Sequence, residues 1–208
     1  MESLSSNNVL VSCDDGSLYD LRVADLLKKY KIKGIFYIPV VSELSEDSIR
    51  YLAEDFEIGS HTVNHAILRD LHPDIVKWEL EHSKRYLEAI TERPVGSFCY
   101  PRGRYNKEVI EAVKQAGYLE ARTTKVLNNK LPIDPYEIIT TIHVHPSRTE
   151  YEGKHWLQLA KRLFLDAKNN EDGYYHAWCH GYEIERYNLW EEFEELLKFI
   201  NYEMRILQ

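Results

Sequence analysis

Val9-Leu10-Val11-Ser12-Cys13-Asp14-Asp15-Gly16 decides how this chain is read: an apolar run stops at two adjacent carboxylates and a glycine. In a strand, Val9, Val11 and Cys13 share one face while Leu10, Ser12 and Asp14 share the other, so Asp14 points inward and Asp15 sits where the chain turns. The two acids therefore meet different surroundings. That lets one bind a cation while the other moves a proton, because carboxylates in equal surroundings would titrate together. Asp-Gly after a strand is also an ordinary turn signal, so the pair by itself allows either reading.

Outward from this stretch, strand and helix patterns alternate. Leu21, Ala24, Leu27 and Tyr30 recur at helical spacing over 18–30, and Ile35-Phe36-Tyr37-Ile38 is an unbroken apolar run suited to a strand buried on both faces. A short helix from Glu46 leads to a third strand, Phe56 to His61; Pro73 opens a helix carrying Val76, Leu80, Leu87 and Ile90, and Ser97 to Tyr100 is strand four. Asn106 caps a helix that Gly117 ends, Leu119 to Thr123 is strand five, and Glu137 to Val144 reads as strand six. A helix over 151–168, a strand from Tyr174 to His180 and a closing helix over 189–203 complete seven strand-helix units. Such alternation predicts an α/β fold of parallel strands with helices outside, and chemistry at the C-terminal ends of the strands.

At 208 residues without linker or repeat, the chain reads as one domain, 1–208. A net charge of −8 with no clustered Lys and Arg argues against nucleic acid or an anionic membrane as partner and favours a neutral substrate. No run could span a bilayer, and Met1 to Asn8 has neither a basic patch nor an apolar stretch, so a cytoplasmic location is expected. Cys13, Cys99 and Cys179 each fall in a strand, the pattern of buried reduced thiols. Oligomeric state is not legible.

Strand three runs into His61-Thr62-Val63-Asn64-His65. Two imidazoles four apart face the same way if the chain turns helically, and they either solvate a turn or bind a metal. With Asp15 they make a set of one carboxylate and two imidazoles, suited to zinc or another borderline divalent cation and leaving a coordination position open. Such a metal would acidify water and polarise a carbonyl, with Asp14 accepting the proton.

Cys13-Asp14-Asp15-Gly16 resembles the Phe-Asp-Asp-Gly signature of the polysaccharide deacetylases, the NodB-like carbohydrate esterases, and His61-Thr62-x-x-His65 is similar to their His-Ser/Thr-x-x-His motif. The resemblance implies a distorted seven-stranded (β/α) barrel, with Asp14 as general base and Asp15, His61 and His65 as ligands of a divalent metal, zinc before cobalt, manganese or nickel. Phe98 to Asn106 is similar to the third family motif, which places Tyr100, Pro101, Arg102 and Gly103 along one wall of the groove and gives the Arg102 N–H to the oxyanion. The family's arginine before the proline is replaced by Cys99, and no aspartate-tryptophan motif partners it, although Asp134 lies in that region. The ion pair is then either dispensed with or replaced by Arg102 or Arg104, each of which reads equally as a solvated loop arginine. Trp178-Cys179-His180-Gly181-Tyr182-Glu183 resembles the last motif, which makes His180 the general acid, held charged by Glu183 or Glu185.

Tyr100, Tyr105, Trp178 and Tyr182 either stack on a sugar ring or belong to the core. His143 and His145, two apart at the end of strand six, either line the groove or form a polar strand end. The reaction expected from the resemblance is metal-dependent removal of the N-acetyl group from an N-acetylated saccharide. An amidase acting on a non-sugar bond and a barrel that only binds saccharide are the alternatives.

Overall fold

The computed structural model describes residues 8–205. Seven strands, β1 (Val9–Asp14), β2 (Lys33–Ile38), β3 (Glu57–Ser60), β4 (Ser97–Cys99), β5 (Glu120–Arg122), β6 (Ile142–His143) and β7 (Tyr175–Cys179), form one sheet in the order β5-β4-β3-β2-β1-β7-β6. Every ladder is parallel, and β1 lies between β2 and β7, with Asp14 beside Tyr37 and Cys13 beside Cys179. All strands therefore end on the same side.

The sheet curls on itself, and an extended stretch rather than a strand pair closes it. Ile138 N donates to Ala121 O at 3.0 Å and Thr123 N donates to Ile138 O at 2.9 Å, while Thr141 N donates to His176 O at 2.9 Å. One segment thus hydrogen-bonds to β5 at its start and to β7 at its end. This is why only Ile142–His143 remains regular strand where the sequence predicts Glu137 to Val144.

The helices α1 (Asp20–Tyr30), α2 (Glu46–Asp55), α3 (Pro73–Thr91), α4 (Lys107–Gln115), α5 (Trp156–Lys168), α6 (Gly181–Arg186) and α7 (Trp190–Arg205) complete the fold. Local chemistry sets their ends: the Ser45 side chain accepts from Ser48 N and that of Asn106 from Val109 N, each satisfying a first-turn N–H. Gly117, at φ 81°, takes the left-handed turn that follows α4. Two elements differ from the sequence reading. α5 starts at Trp156 because Thr149–Tyr151 forms a separate 3-10 turn, and α6 follows β7 directly. The reading of residues 1–8 as free of a leader falls almost wholly outside the described residues.

Val9, Val11 and Cys13 pack with Val23, Ala24 and Leu27 in the layer between sheet and helices. Each of the Val and Leu side chains contributes roughly 1.5–3 kcal/mol by leaving water. Leu10 turns the other way, toward Ile35, Tyr37 and Cys99 inside the barrel. Polar groups share the interior with that apolar cluster: Ser12 Oγ lies 2.7 Å from His176 Nε2, and Tyr174 Oη lies 2.8 Å from His176 Nδ1. The three cysteines are buried and free. No helix among the described residues is long and apolar enough to cross a membrane.

Candidate metal and catalytic site

Asp14 ends β1 and Asp15 begins the turn after it, at φ 78°, with Gly16 at φ 65°. Gly16 has no room for a side chain, since a Cβ there would stand 2.8 Å from Ser42 Cβ. The turn thus carries Asp14 inward and Asp15 to the mouth of the barrel. The loop after β3 delivers the two imidazoles, though not as a helical turn: Thr62 lies at φ 68° and His65 at φ 53°. A β-branched residue in the left-handed region is strained. Glu79 of α3, buried, holds the strained loop: its carboxylate accepts from Val63 N at 2.7 Å, Asn64 N at 3.2 Å and Asn64 Nδ2 at 2.9 Å.

Asp15 Oδ1 stands 3.3 Å from His61 Nε2 and 3.4 Å from His65 Nε2, and it is buried without a hydrogen-bond partner. His61 Nδ1 lies 2.8 Å from Cys99 O, an acceptor, so Nδ1 carries a proton and Nε2 is the ring atom turned to Asp15. Ligand atoms of three side chains thus converge on one point. The set fits a divalent metal by donor type as well as by spacing. Burial pushes the Asp15 carboxyl up, but His61, His180 and His65 more than offset it and hold the group well below the usual range.

Asp14 Oδ2 pairs with Arg122 Nη2, and the pair is fully buried. Its other oxygen, Oδ1, is buried without a hydrogen-bond partner. Arg122 comes from β5, and its Nη1 donates to Thr123 O at 3.0 Å while Nη2 lies 3.0 Å from Cys99 Sγ. Burial opposes the guanidinium charge, yet Asp14 more than compensates and keeps it cationic. This corrects the expectation that Arg102 or Arg104 supplies the ion pair. Both of those arginines are exposed, and Asp134 is engaged at the surface, accepting from Tyr136 N at 2.8 Å.

A pocket of about 400 Å³ opens over these groups, lined by Asp14, Asp15, His61, His65, Tyr100, Arg102, Thr124, Trp178, His180 and Tyr182. Pro101 and Gly103 shape the turn that carries Arg102, which has φ 54°. Gly103 packs against the pocket wall, where a Cβ would meet Thr124 Oγ1 at 2.1 Å. Among the described residues no hydrogen bond comes from the Arg102 N–H, whereas Gly103 N donates to Tyr100 O at 2.8 Å and Arg104 N to Pro101 O at 3.1 Å. Of the four aromatic residues, Tyr100 and Trp178 are buried and Tyr105 spends its hydroxyl on Glu137 at 2.6 Å, so only Tyr182 offers a partly exposed ring at the mouth.

His180 follows β7, with Nδ1 2.7 Å from Glu183 Oε2 and Nε2 3.5 Å from Asp15 Oδ2. Burial lowers its basicity, but the Glu183 hydrogen bond and the charges of Asp14 and Asp15 raise it above the ordinary imidazole value. Glu185 is elsewhere, accepting from Trp190 Nε1 at 2.7 Å. His143 and His145 do not line the pocket; both turn toward Glu183. Sequence reasoning missed Arg122 and Glu79. Each had a signal: a cation within a short strand, and an acid on the apolar stripe of α3, between Val76 and Leu80.

The family profile described as Polysaccharide deacetylase matches residues 2–121. The chain is 30% identical over 128 residues to YxkH of Bacillus subtilis, named for a polysaccharide deacetylase, covering 58% of this chain and 46% of that protein. It is 28% identical over 114 residues to a peptidoglycan-N-acetylglucosamine deacetylase of Bacillus cereus, covering 53% of each. The chain thus spans about half the length of these curated relatives. In fold it is similar to PdaA of Bacillus subtilis, a family 4 carbohydrate esterase, with a TM-score of 0.64 at 16% identity over 98% of this chain and 79% of that one.

Proposed function

Because the chain belongs to the polysaccharide deacetylase family, we propose that it hydrolyses the acetamido group of an N-acetylated sugar to acetate and the free amine. The observation that carries this reading is the buried Asp14 Oδ1, left without a partner while Oδ2 is held by Arg122, in a pocket shared with Asp15, His61, His65 and His180. A carboxylate fixed through one oxygen and open at the other is set up to take a proton from attacking water. Asp15, His61 and His65 would hold a divalent metal, zinc before cobalt, manganese or nickel. When bound, the ion supplies Lewis acidity toward the acetyl oxygen and toward water.

The remaining steps belong to the side chains. Asp14 Oδ1 accepts the proton of the water whose oxygen joins the acetyl carbon. The N–H of Arg102 faces the oxyanion, where its contribution grows as charge develops. His180, charged and oriented by Glu183 through Nδ1, gives the Nε2 proton to the nitrogen as the C–N bond breaks, and the electron pair of that bond stays on the amine. Asp14 fits the base because Arg122 holds one of its oxygens and leaves the other open, and His180 fits the acid because the Glu183 hydrogen bond favours its imidazolium.

Acetate release from N-acetylglucosamine oligomers tests the proposal, using metal-stripped protein with zinc, cobalt, manganese or nickel added back. Wild type should recover turnover with metal. Asp14→Asn should bind metal and release no acetate. Full release by Asp14→Asn, or release undiminished after stripping, would sink the mechanism; metal bound with no release by wild type would move the substrate to another amide.

A further inference from the structure

Glu183 sits among three imidazoles, and the role of His180 accounts for one. His143 Nε2 lies 3.0 Å from Glu183 Oε2, the same oxygen that accepts from His180, and His145 Nε2 lies 4.0 Å from Oε1. What fixes the protons is on the far side of each ring. Arg148 Nη1 is 3.4 Å from His143 Nδ1, and a guanidinium only donates, so Nδ1 accepts and the His143 proton sits on Nε2. Ser147 N donates to His145 Nδ1 at 3.1 Å, which puts that proton on Nε2 too.

His143 is also clamped. Its ring stacks on Trp178 with centroids 3.6 Å apart and planes 4° apart, and only 6% of its surface is exposed. Tyr151 Oη accepts from His143 N at 3.0 Å and donates to His143 O at 2.5 Å. Burial pushes the imidazole down to about 3, so it stays neutral. The Nε2–H is off the straight line to Oε2 and makes no aligned hydrogen bond despite the 3.0 Å separation.

We propose that His143 is a positioning residue for the general acid: its Nε2–H, set by Arg148, anchors the Glu183 carboxylate that orients His180. The inference rests on the reading of His180 as proton donor. His143, His180 and Glu183 also stand close enough to share a cation. Against that, the Arg148 guanidinium sits beside one face of the cluster, and Arg122 lies 4.9 Å from the Trp178 ring that covers His143. Two fixed positive charges disfavour a third.

The test uses the whole chain, labelled with [15N]histidine and loaded with zinc. In wild type His143 should be the Nε2–H tautomer, and the His180 Nδ1–H should give a downfield proton protected from exchange. His143→Phe keeps the stacked ring and loses the donor; His143→Gln keeps a donor near the Nε2 position. The Phe variant should lose the protected proton and lower kcat on N-acetylglucosamine oligomers roughly 10- to 100-fold with KM little changed, the usual loss for a partner behind a working group. Gln should restore both in large part. Should the Phe variant not fold, Arg148→Met frees the tautomer and should broaden the same resonance. An unaltered resonance and kcat in His143→Phe, or equal losses in Phe and Gln variants, would overturn the assignment, as would a second equivalent of zinc that His143→Phe removes. If wild type releases no acetate, the substrate reading fails, and the resonances still decide the role of His143.

Discussion

Asp14 and Arg122 form a buried ion pair that ties the end of β1 to the end of β5 across the inside of the barrel, with β2, β3 and β4 between them in the sheet. The guanidinium lies between two aromatic rings, 5.1 Å from Tyr37 and 4.9 Å from Trp178, so water does not screen it. The contact pins an edge strand and, under the proposed function, also orients the carboxylate that acts as base.

Removing one partner of such a pair leaves a buried charge uncompensated. Arg122→Met should lower unfolding stability by roughly 3–5 kcal/mol and depress turnover. Arg122→Met with Asp14→Asn should recover much of the stability and none of the turnover. Denaturant unfolding of the two single variants and the double variant measures the coupling; additive losses would show that the pair does not act as a unit.

The loop that presents His65 depends on Glu79. Glu79→Ala removes the acceptor of three N–H groups; that of buried Val63 costs about 1–3 kcal/mol when left unpaired, while the two of exposed Asn64 turn to water. With the strained Thr62 and His65 backbone released, zinc affinity should fall roughly 10- to 100-fold. Calorimetric zinc titration reads this directly, and unchanged affinity would mean the loop holds itself.

These two residues show what the sequence could and could not carry. The alternation of strand and helix, the Asp14-Asp15 step and the imidazoles at 61 and 65 are local patterns, and a linear reading finds local patterns. Arg122 is 108 positions from Asp14, and only the curl of the sheet makes them neighbours. The two-residue β6 was hidden for a related reason: the apolar run before it is spent on closing the barrel, a demand of the whole sheet. His143 reads as a strand end until Trp178, Arg148 and Glu183, from other parts of the chain, gather around it.

Stability should carry a pH signature from Asp20, away from the ligands. Burial pushes its carboxyl up to about 7 from an ordinary 3.8, against donors on Ser17 and Cys13. The folded chain thus holds a proton that the unfolded chain releases. Stability conferred by this group is present below about pH 4, lost as pH rises toward about 7, and level above it. Asp20→Asn removes the titration, so the unfolding free energy of the variant relative to wild type should climb by a few kcal/mol across that window, at ~1.4 kcal/mol per pH unit. A difference that is flat with pH would contradict it.

Cys99 stands where the resemblance to the family calls for an arginine, and its Sγ is 3.0 Å from the Arg122 guanidinium and 3.7 Å from Asp14 Oδ2. The cation beside Asp14 thus comes from β5, and the thiol at position 99 packs against it. Cys99→Arg alone should fail, because two guanidinium groups would compete for one buried carboxylate in space that a thiol now fills, costing several kcal/mol. Cys99→Arg combined with Arg122→Ala makes room and restores a single cation next to Asp14. The double variant should be more stable than either single one and should regain part of the acetate release that Arg122→Ala loses. If the double variant is as impaired as the sum of the two, the cation must come from β5, through the Thr123 carbonyl that fixes Arg122 there.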